Sequence, residues 1–549
     1  MKSKAIRLYL VCLVFITSSI SYPQHLLKNY EILEEILVTN TNDSGPGSLR
    51  QAIYAANNFL HVQSNIIRFN IPKTDPGYDS NRNIWVIKPS SSFEFIIDRN
   101  LIIDGFSQRA FIGSDVNPYG PEIVIDGSNA GTNTSAFVSS AEGTDIYGLV
   151  INRFDGSGIL FLPPGKGTVS GCYLGTEYTG MYEVGNRFGI SLLGKVVDVH
   201  IGPSEYVFPN VICGNTQTGV FLSDSASNNV IVGNNIGLNR DGTAVVPNIT
   251  QGITIQNFSD NNEIVRNIIG GNKVGIFINN SNHNLFASNI IGTSESMEAD
   301  YGNSDAGISI WNNSSSNSIL NNIICYNNIG ISVDGLASLR NLISRNNVSH
   351  NHSLGIDNRN GGNVELTPPI ITNITDNEIF GESSPSHIIE IFADIEDEGI
   401  IFIDSTITNM EGNFYLYLDE MPQYPHITAT ARDQLGNTSE FSTPFLVSVI
   451  DGHEIPKNYY LSQNYPNPFN PNTTIDYQLP VSGHTKLTIY DLLATEIISL
   501  VDEDQSAGKY KVNFSATEFA SGIYFYRLAS KSSDGIHRFE KIKKLVILK

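Results

Sequence analysis

The sequence is poor in several things at once. Its 549 residues include four cysteines, two tryptophans and five methionines, and only 16% of them are charged. So few cysteines exclude a disulfide framework as the source of stability. Cys172, Cys213 and Cys325, the three beyond the N-terminal segment, read as small buried hydrophobes. Basic residues are scarce too: 33 Lys and Arg stand against 55 Asp and Glu, a formal charge of −22. That balance argues against nucleic acid as a partner, because binding phosphates needs clustered cations. Calcium would need carboxylates converging on one point, and no spacing here provides that, so no cofactor or metal is assigned. After the first segment no run approaches the roughly 18 apolar residues of a membrane-spanning helix, so no transmembrane segment is predicted.

What is present begins with an export signature. Lys2, Lys4 and Arg7 precede the apolar run Leu8 to Ile16, and small residues at Ser19 and Ser21 suit a signal peptidase, giving a signal peptide over 1–21. Cys12 lies inside the apolar run. A lipid-anchored chain would carry Leu three residues before the cysteine, where Tyr9 stands, so lipid anchoring is discounted.

The centre of the chain repeats itself. Units open with Gly219-Val-Phe-Leu, Gly252-Ile-Thr-Ile, Gly275-Ile-Phe-Ile, Gly307-Ile-Ser-Ile and Gly330-Ile-Ser-Val, and the steps from Gly252 to Gly275 and from Gly307 to Gly330 are 23 residues. Each start leads to an Asn-rich turn, a second short apolar run and then a third, such as those at Asn267, Asn289 and Asn322. Three short strands and three turns per unit cannot bury their own apolar face, whereas stacked units form one continuous core. Asn tolerates the left-handed conformation, and its amide can bond to the Asn above. Gly meets the need for tight turns. Longer intervals open at Leu174, Ile236 and Ile291 and predict loops projecting from one side.

This region, from about Val38 to Leu366, resembles the right-handed parallel β-helix proteins of bacteria. The segment Val38 to Ile53, with Ser48-Leu-Arg-Gln-Ala-Ile, is similar to the Ser-Leu-Arg-Glu-Ala-Ile signature that opens many such surface proteins, with Gln51 in place of Glu. It is read as the cap over the first coil, whose edge is otherwise open. The expected fold is all-β: a right-handed parallel β-helix solenoid over 22–366, an immunoglobulin-like β-sandwich over 367–450, and a small C-terminal β-sandwich over 451–549. Pro368-Pro369 marks the first boundary. Alternating runs at Ile388, Asn413 and His426 read as sandwich strands, and the stretch Ala431 to Ser442 resembles the last strand and turn of immunoglobulin-like modules, which implies a spacer.

Near the C-terminus stand Leu461-Ser-Gln-Asn-Tyr-Pro-Asn-Pro-Phe469, Lys486-Leu-Thr-Ile-Tyr-Asp-Leu-Leu, Ala507-Gly-Lys-Tyr, Ala520-Ser-Gly-Ile-Tyr and Lys543 to Lys549. In this order they resemble the type A sorting domain read by the type IX secretion machinery of gram-negative bacteria. Ala494 departs from the Gly usual there. The resemblance implies passage through the outer membrane, usual removal of the domain, and attachment to the cell surface or release.

Signs of catalysis are few. The β-helix class includes polysaccharide lyases, hydrolases and epimerases, but fold alone assigns no activity. The Asn-Thr-Asp, Asp-Asp and Gly-His-Gly strings of polygalacturonase-like enzymes do not occur, although glycoside hydrolysis needs paired carboxylates. Asp224, Asp260, Asp305 and Asp334 fall at different offsets from their coil starts, and His200, His283, His350 and His352 are scattered near turns. Arg153 and Asp155 read as a local ion pair or as non-interacting, ahead of the alternative of an acid and base. No residue is named catalytic.

Binding has more support. If Ile276 and Ile278 point inward, strand alternation puts Phe277 and Asn279 outward. The same register gives an outer column of Phe221, Thr254, Phe277 and Ser309, with Ser223, Gln256, Asn279, Trp311 and Asp334 beside it. Phe221, Gln256, Phe277, Asn279, Trp311 and Asp334 are therefore the candidate ligand-binding residues, for stacking sugar rings and bonding their hydroxyls. The competing reading has loops covering Phe221 and Phe277. The expectation is a secreted or surface protein that binds extracellular polysaccharide or mediates adhesion. The alternatives are a lyase or glycoside hydrolase acting on an acidic polysaccharide, and a rigid stalk.

Overall fold

The computed structural model describes residues 34–58, 65–203, 208–294, 296–375, 377–422, 424–447, 458–492, 495–517, 519–532 and 538–548. The expected signal peptide, with Cys12, and the departure at Ala494 lie outside them.

From Glu34–Val38 to Ile356–Arg359 the chain winds through three sheets, two of eleven strands and one of nine. Val230–Val232, Asn235–Ile236 and Gln251–Gln256 make one coil; Glu263–Val265, Ile268–Ile269 and Val274–Asn279 make the next. Each strand pairs in parallel with its counterpart one coil along. Among the described residues the exception is the antiparallel pair of Tyr78–Asp79 and Ile84–Ile87 near the start. This is a parallel β-helix.

Alternation builds the core. Ile253, Ile276, Ile308 and Ile331 stack in register, as do Ile255, Ile278, Ile310 and Val333, and all are fully buried. Each such side chain contributes roughly 1.5–3 kcal/mol of burial. The coil-opening glycines answer to close approach rather than to turn geometry. A Cβ on Gly252 would sit 2.7 Å from the carbonyl oxygen of Gly275, and one on Gly275 2.5 Å from that of Gly307. Cys172, Cys213 and Cys325 are buried free thiols, and burial pushes the Cys172 thiol up to about 12.

The asparagines have two separate jobs. One set forms buried ladders: Asn234, Asn267, Asn289 and Asn322 each donate backbone N–H and Nδ2 to the Oδ1 of the next, at 2.9–3.1 Å. A second ladder runs Asn229, Asn262, Asn284, Asn317, Asn341, and a third Asn215, Asn248, Asn272, Asn303, Asn327, Asn351. The left-handed conformation belongs to the residue before a ladder Asn, such as Asn261, Arg266, His283, Ser288, Asn321, Tyr326 and Arg345. The turn therefore comprises a left-handed residue that swings the chain and a buried amide that pins it to the next coil.

Both ends of the solenoid are closed. At the start, helix Leu49–Asn58 lays Leu49, Ala52, Ile53 and Ala56 into the core, while Arg50 bonds Asp43 at 2.7 Å. At the far end stands a unit of two antiparallel sheets. One holds Ile370–Ile374, Glu378–Glu382 and Asn413–Tyr417; the other holds Ile388–Asp394, Ile401–Ile407, His426–Arg432 and Phe445–Leu446. This unit, expected as a spacer, packs as a lid on the last coil. Glu398 accepts from both the backbone N and Nδ2 of Asn351 at 3.1 Å, which ends the third ladder on a carboxyl group. The carbonyl of Thr438 accepts from Asn358 and Asn363, Glu390 accepts from the backbone N of Arg345, and Phe441 packs on the solenoid core. Burial pushes Glu398 up to about 8.

The C-terminal unit again has two antiparallel sheets: Tyr460–Leu461, Asn472–Leu479 and Gly508–Ser515 in one, and Gly483–Tyr490, Glu496–Gln505, Gly522–Ser532 and Arg538–Ile547 in the other. Its own core includes Leu461, Phe469, Tyr477, Phe514 and Tyr526.

Candidate functional site

The register read from the repeat is the one that the nine-stranded sheet adopts. Phe221 pairs with Thr254, Thr254 with Phe277, and Phe277 with Ser309; beside them Gln256 pairs with Asn279 and Asn279 with Trp311. Five of the six candidate residues thus lie on one outer face within four consecutive strands. Phe221 and Phe277 are half-buried, and Trp311 is 38% exposed. Phe277 meets Trp311 edge-on, with centroids 5.9 Å apart. Gln256 donates to the Ser223 hydroxyl at 3.3 Å. Asp334, the sixth, is one strand further and engaged: its carboxylate holds Arg359 at 3.0 Å and Asn360 at 3.1 Å.

Three features of this face were not among the predicted ligand-binding residues, although Thr254 stood in the predicted outer column. Phe188 stacks on Phe221 with centroids 5.2 Å apart, so the aromatic row starts one coil earlier. Its signal was available, since Gly189-Ile-Ser repeats the coil start seen at Gly307 and Gly330. Thr254, between Phe221 and Phe277 in the column, is buried, and its hydroxyl has no hydrogen-bond partner. An unpaired buried hydroxyl costs roughly 1–3 kcal/mol. Phe258, in the turn that leaves Gln251–Gln256, is 61% exposed and left-handed at φ 64°. Nothing in the amino-acid pattern announces that last feature.

The remaining charged candidates serve structure. Asp224 accepts from Asn257, and Asp260 from the backbone N of Asn282. Arg153 pairs with Asp126 at 3.3 Å rather than with Asp155, which accepts from the backbone of Asn133. His283 and His350 occupy left-handed turn positions, and His352 bonds the carbonyl of Asn327. Among the described residues no three of His, Cys, Asp and Glu converge as metal ligands.

A second outer surface differs in character. On the eleven-stranded sheet that begins at Glu34–Val38, Asp145, Thr168 and His200 stand in register on successive strands. With Asn100, Lys166 and Asp198 they line a cleft of about 240 Å³, in which glycines stand at positions 143 and 167. Lys166 bonds Asp198 at 2.6 Å. Tyr147 is linked to Asp145, and burial and that carboxylate together raise its phenol above the usual range. Strands two apart place Asp145 and His200 about 10 Å from each other at Cα, so they flank the cleft. Sequence reading named His200 only as one of several histidines near turns, whereas it lies in strand Val199–Ile201, and passed over the rest of this set because it precedes the regular coils.

The C-terminal unit explains its own motif. The Tyr526 hydroxyl donates to the carbonyl of Ser462 at 2.6 Å and accepts from the backbone N of Asn464 at 2.9 Å, while Asn464 Nδ2 bonds Pro466 O and Thr473 Oγ1. Phe469 is buried against Phe514. The Asn and Pro-rich segment is thereby tied across both sheets. Residues 463–547 match the secretion system C-terminal sorting domain. This sorting domain marks the chain as secreted or cell-surface and links it to a secretion machinery. Among the described residues no helix is long and apolar enough to cross a membrane.

No curated protein matches the sequence. Among solved structures, a mutant of the periplasmic alginate epimerase AlgG is 13% identical, over 54% of this chain and 70% of that one, with a TM-score of 0.29. Full-length tailspike protein 2 of an Escherichia coli bacteriophage is 10% identical, over 92% and 68%, at 0.31. Dimeric latent PorU from Porphyromonas gingivalis is 14% identical, over 35% of this chain and 22% of that one, at 0.15.

Proposed function

We propose that the protein is an exported β-helix that binds extracellular polysaccharide, or mediates adhesion through it, on the outer face of its nine-stranded sheet. The observation that carries this reading is the row Phe188, Phe221, Phe277 and Trp311, flanked by the amides of Gln256 and Asn279. Aromatic faces stack on sugar rings, while amides and hydroxyls exchange hydrogen bonds with theirs. An exposed indole with neighbouring rings is unexpected on a mere stalk, whose surface has no reason to keep it. Residues 1–21 serve as the signal peptide, and the 367–450 unit as an immunoglobulin-like spacer and lid.

A second reading rests on the charged cleft. Asp145, His200 and Tyr147 are groups that can move protons, and a lyase or glycoside hydrolase needs such groups beside its substrate. One screen separates the two. The full chain is passed over immobilised neutral and acidic polysaccharides, with and without calcium, while unsaturated products and reducing ends are recorded. Retention without products, lost in Trp311→Ala with unchanged melting, supports binding. Products that disappear in Asp145→Asn overturn it in favour of the enzyme.

A further inference from the structure

The face carries information about which polysaccharide it takes. Its nine strands, Phe137–Ser139 to Ile356–Arg359, contain three charged residues, Asp334, Asp357 and Arg359. All three lie at the C-terminal end, where the single guanidinium of Arg359 is shared by both carboxylates, at 3.0 Å from Asp334 and 3.3 Å from Asp357, leaving one negative charge and no unpaired cation. From Phe188 to Trp311 the strands carry no charge; they present rings and amides, while the hydroxyls of Ser191, Ser223, Thr254 and Ser309 are buried. A polyuronate or sulfated chain would need a line of unpaired cations to replace its counterions, and it would approach a protein of net charge −22. A neutral chain loses nothing by that repulsion.

The aromatic row also has one gap, and the turn that follows the gapped strand is unusual. Phe221 and Phe277 sit two strands apart, and the strand between them offers Thr254 in the column. The same coil supplies Phe258 from its turn. A bulky side chain at positive φ is strained, and a large ring in water is unfavourable, so this position is costly twice over where Asn or Gly would serve. The neighbouring coil does use Asn280, at φ 50°. Strain kept at an exposed aromatic is a mark of use.

Resting on the binding role proposed above, we infer that this face takes a neutral, hydroxyl-rich polysaccharide laid along the solenoid axis, with Phe258 as its rim contact. Four strand steps separate the strand of Phe188 from that of Trp311, about 19 Å along the solenoid axis at ~4.8 Å per step. Affinity for neutral oligosaccharides should rise with length until the ligand spans that distance and then level off, and it should be indifferent to salt. The test titrates the full chain with neutral β-linked glucose and xylose oligomers of increasing length and with oligogalacturonates of matched length, at low and high salt.

Phe258→Asn is the informative variant, because a purely structural role and a ligand role predict different results. The expected outcome is a raised melting temperature together with an affinity loss of several fold for the longer neutral oligomers. Phe258→Asn that binds like the wild type overturns the rim contact. Tighter binding of oligogalacturonate, weakened by salt, overturns the neutral class while leaving polysaccharide binding in place. Failure to bind any of the saccharides, or any polymer in the wider screen, overturns the binding role itself.

Discussion

Two outer faces of one solenoid can be compared directly, because the interior beneath them is the same. Under both lie stacked aliphatic side chains held by asparagine ladders. Above the nine-stranded sheet stand rings and amides; above the eleven-stranded sheet that begins at Glu34–Val38 stand Asp145, His200 and the Lys166–Asp198 pair around a cleft. In a strand every second residue is released from the demands of the core. Whatever this β-helix does is therefore written in outward positions, and the two faces can carry different chemistry without disturbing the fold.

The largest effect should come from what the faces share. Asn289→Ala removes the acceptor for two donors of Asn267 and the donor to the carbonyl of Ile264, all buried. At the low end of roughly 1–3 kcal/mol for each of the three unsatisfied groups, the loss should be at least about 3 kcal/mol in a urea titration. Both faces should be lost together. Selective loss of one would show that they are supported independently.

Next is the lid, which closes the solenoid beneath both faces. Because burial raises Glu398 to about 8 from an ordinary value of 4.5, the folded state favours its protonated form. Asp394, raised to about 6, acts in the same direction, and it and Asp397 lie close enough to reinforce the shift. Their contribution is fully present below the unfolded values and is lost as pH rises through about 6 and then about 8. The melting temperature should therefore fall between pH 5 and pH 9, and Glu398→Gln should flatten the upper part of that slope. A wild-type profile that is level over this range would remove the titrating lid.

The faces themselves are separated by single substitutions with smaller effects. Trp311→Ala should weaken polysaccharide retention about tenfold, in line with ~1.5 kcal/mol for a lost aromatic contact, with less than ~1 kcal/mol change in stability. Asp145→Asn should leave retention unchanged. If the two exchange roles in an affinity gel, the cleft is the binding surface. The smallest effect belongs to Thr254→Val, which removes an unpaired buried hydroxyl and should stabilise the fold by up to ~1 kcal/mol, seen as a shift in thermal melting.

Much of the architecture was legible because it is periodic. A 23-residue step with three apolar runs leaves few ways to bury its residues other than by stacking, and once Ile276 and Ile278 face inward the positions of Phe277, Asn279 and Trp311 follow. The sorting-domain motif was legible as a string, and the structure supplies its reason in the Tyr526 hydroxyl. The division of labour among asparagines was not legible, because the left-handed residue and the ladder residue are adjacent and often of the same type, as at Asn261 and Asn262.

The amino-acid sequence by itself therefore determined the solenoid, its register and its export tail, since each rests on local alternation, a fixed period or a contiguous motif. Tertiary structure alone decided how Phe188 stacks on Phe221, that Phe258 is held exposed at positive φ, that Asp145 and His200 flank one cleft, and that Glu398 closes a ladder ending at Asn351. Those features arise between residues that are distant in the chain or from backbone geometry, and neither periodicity nor composition records which side chains a coil brings beside the next.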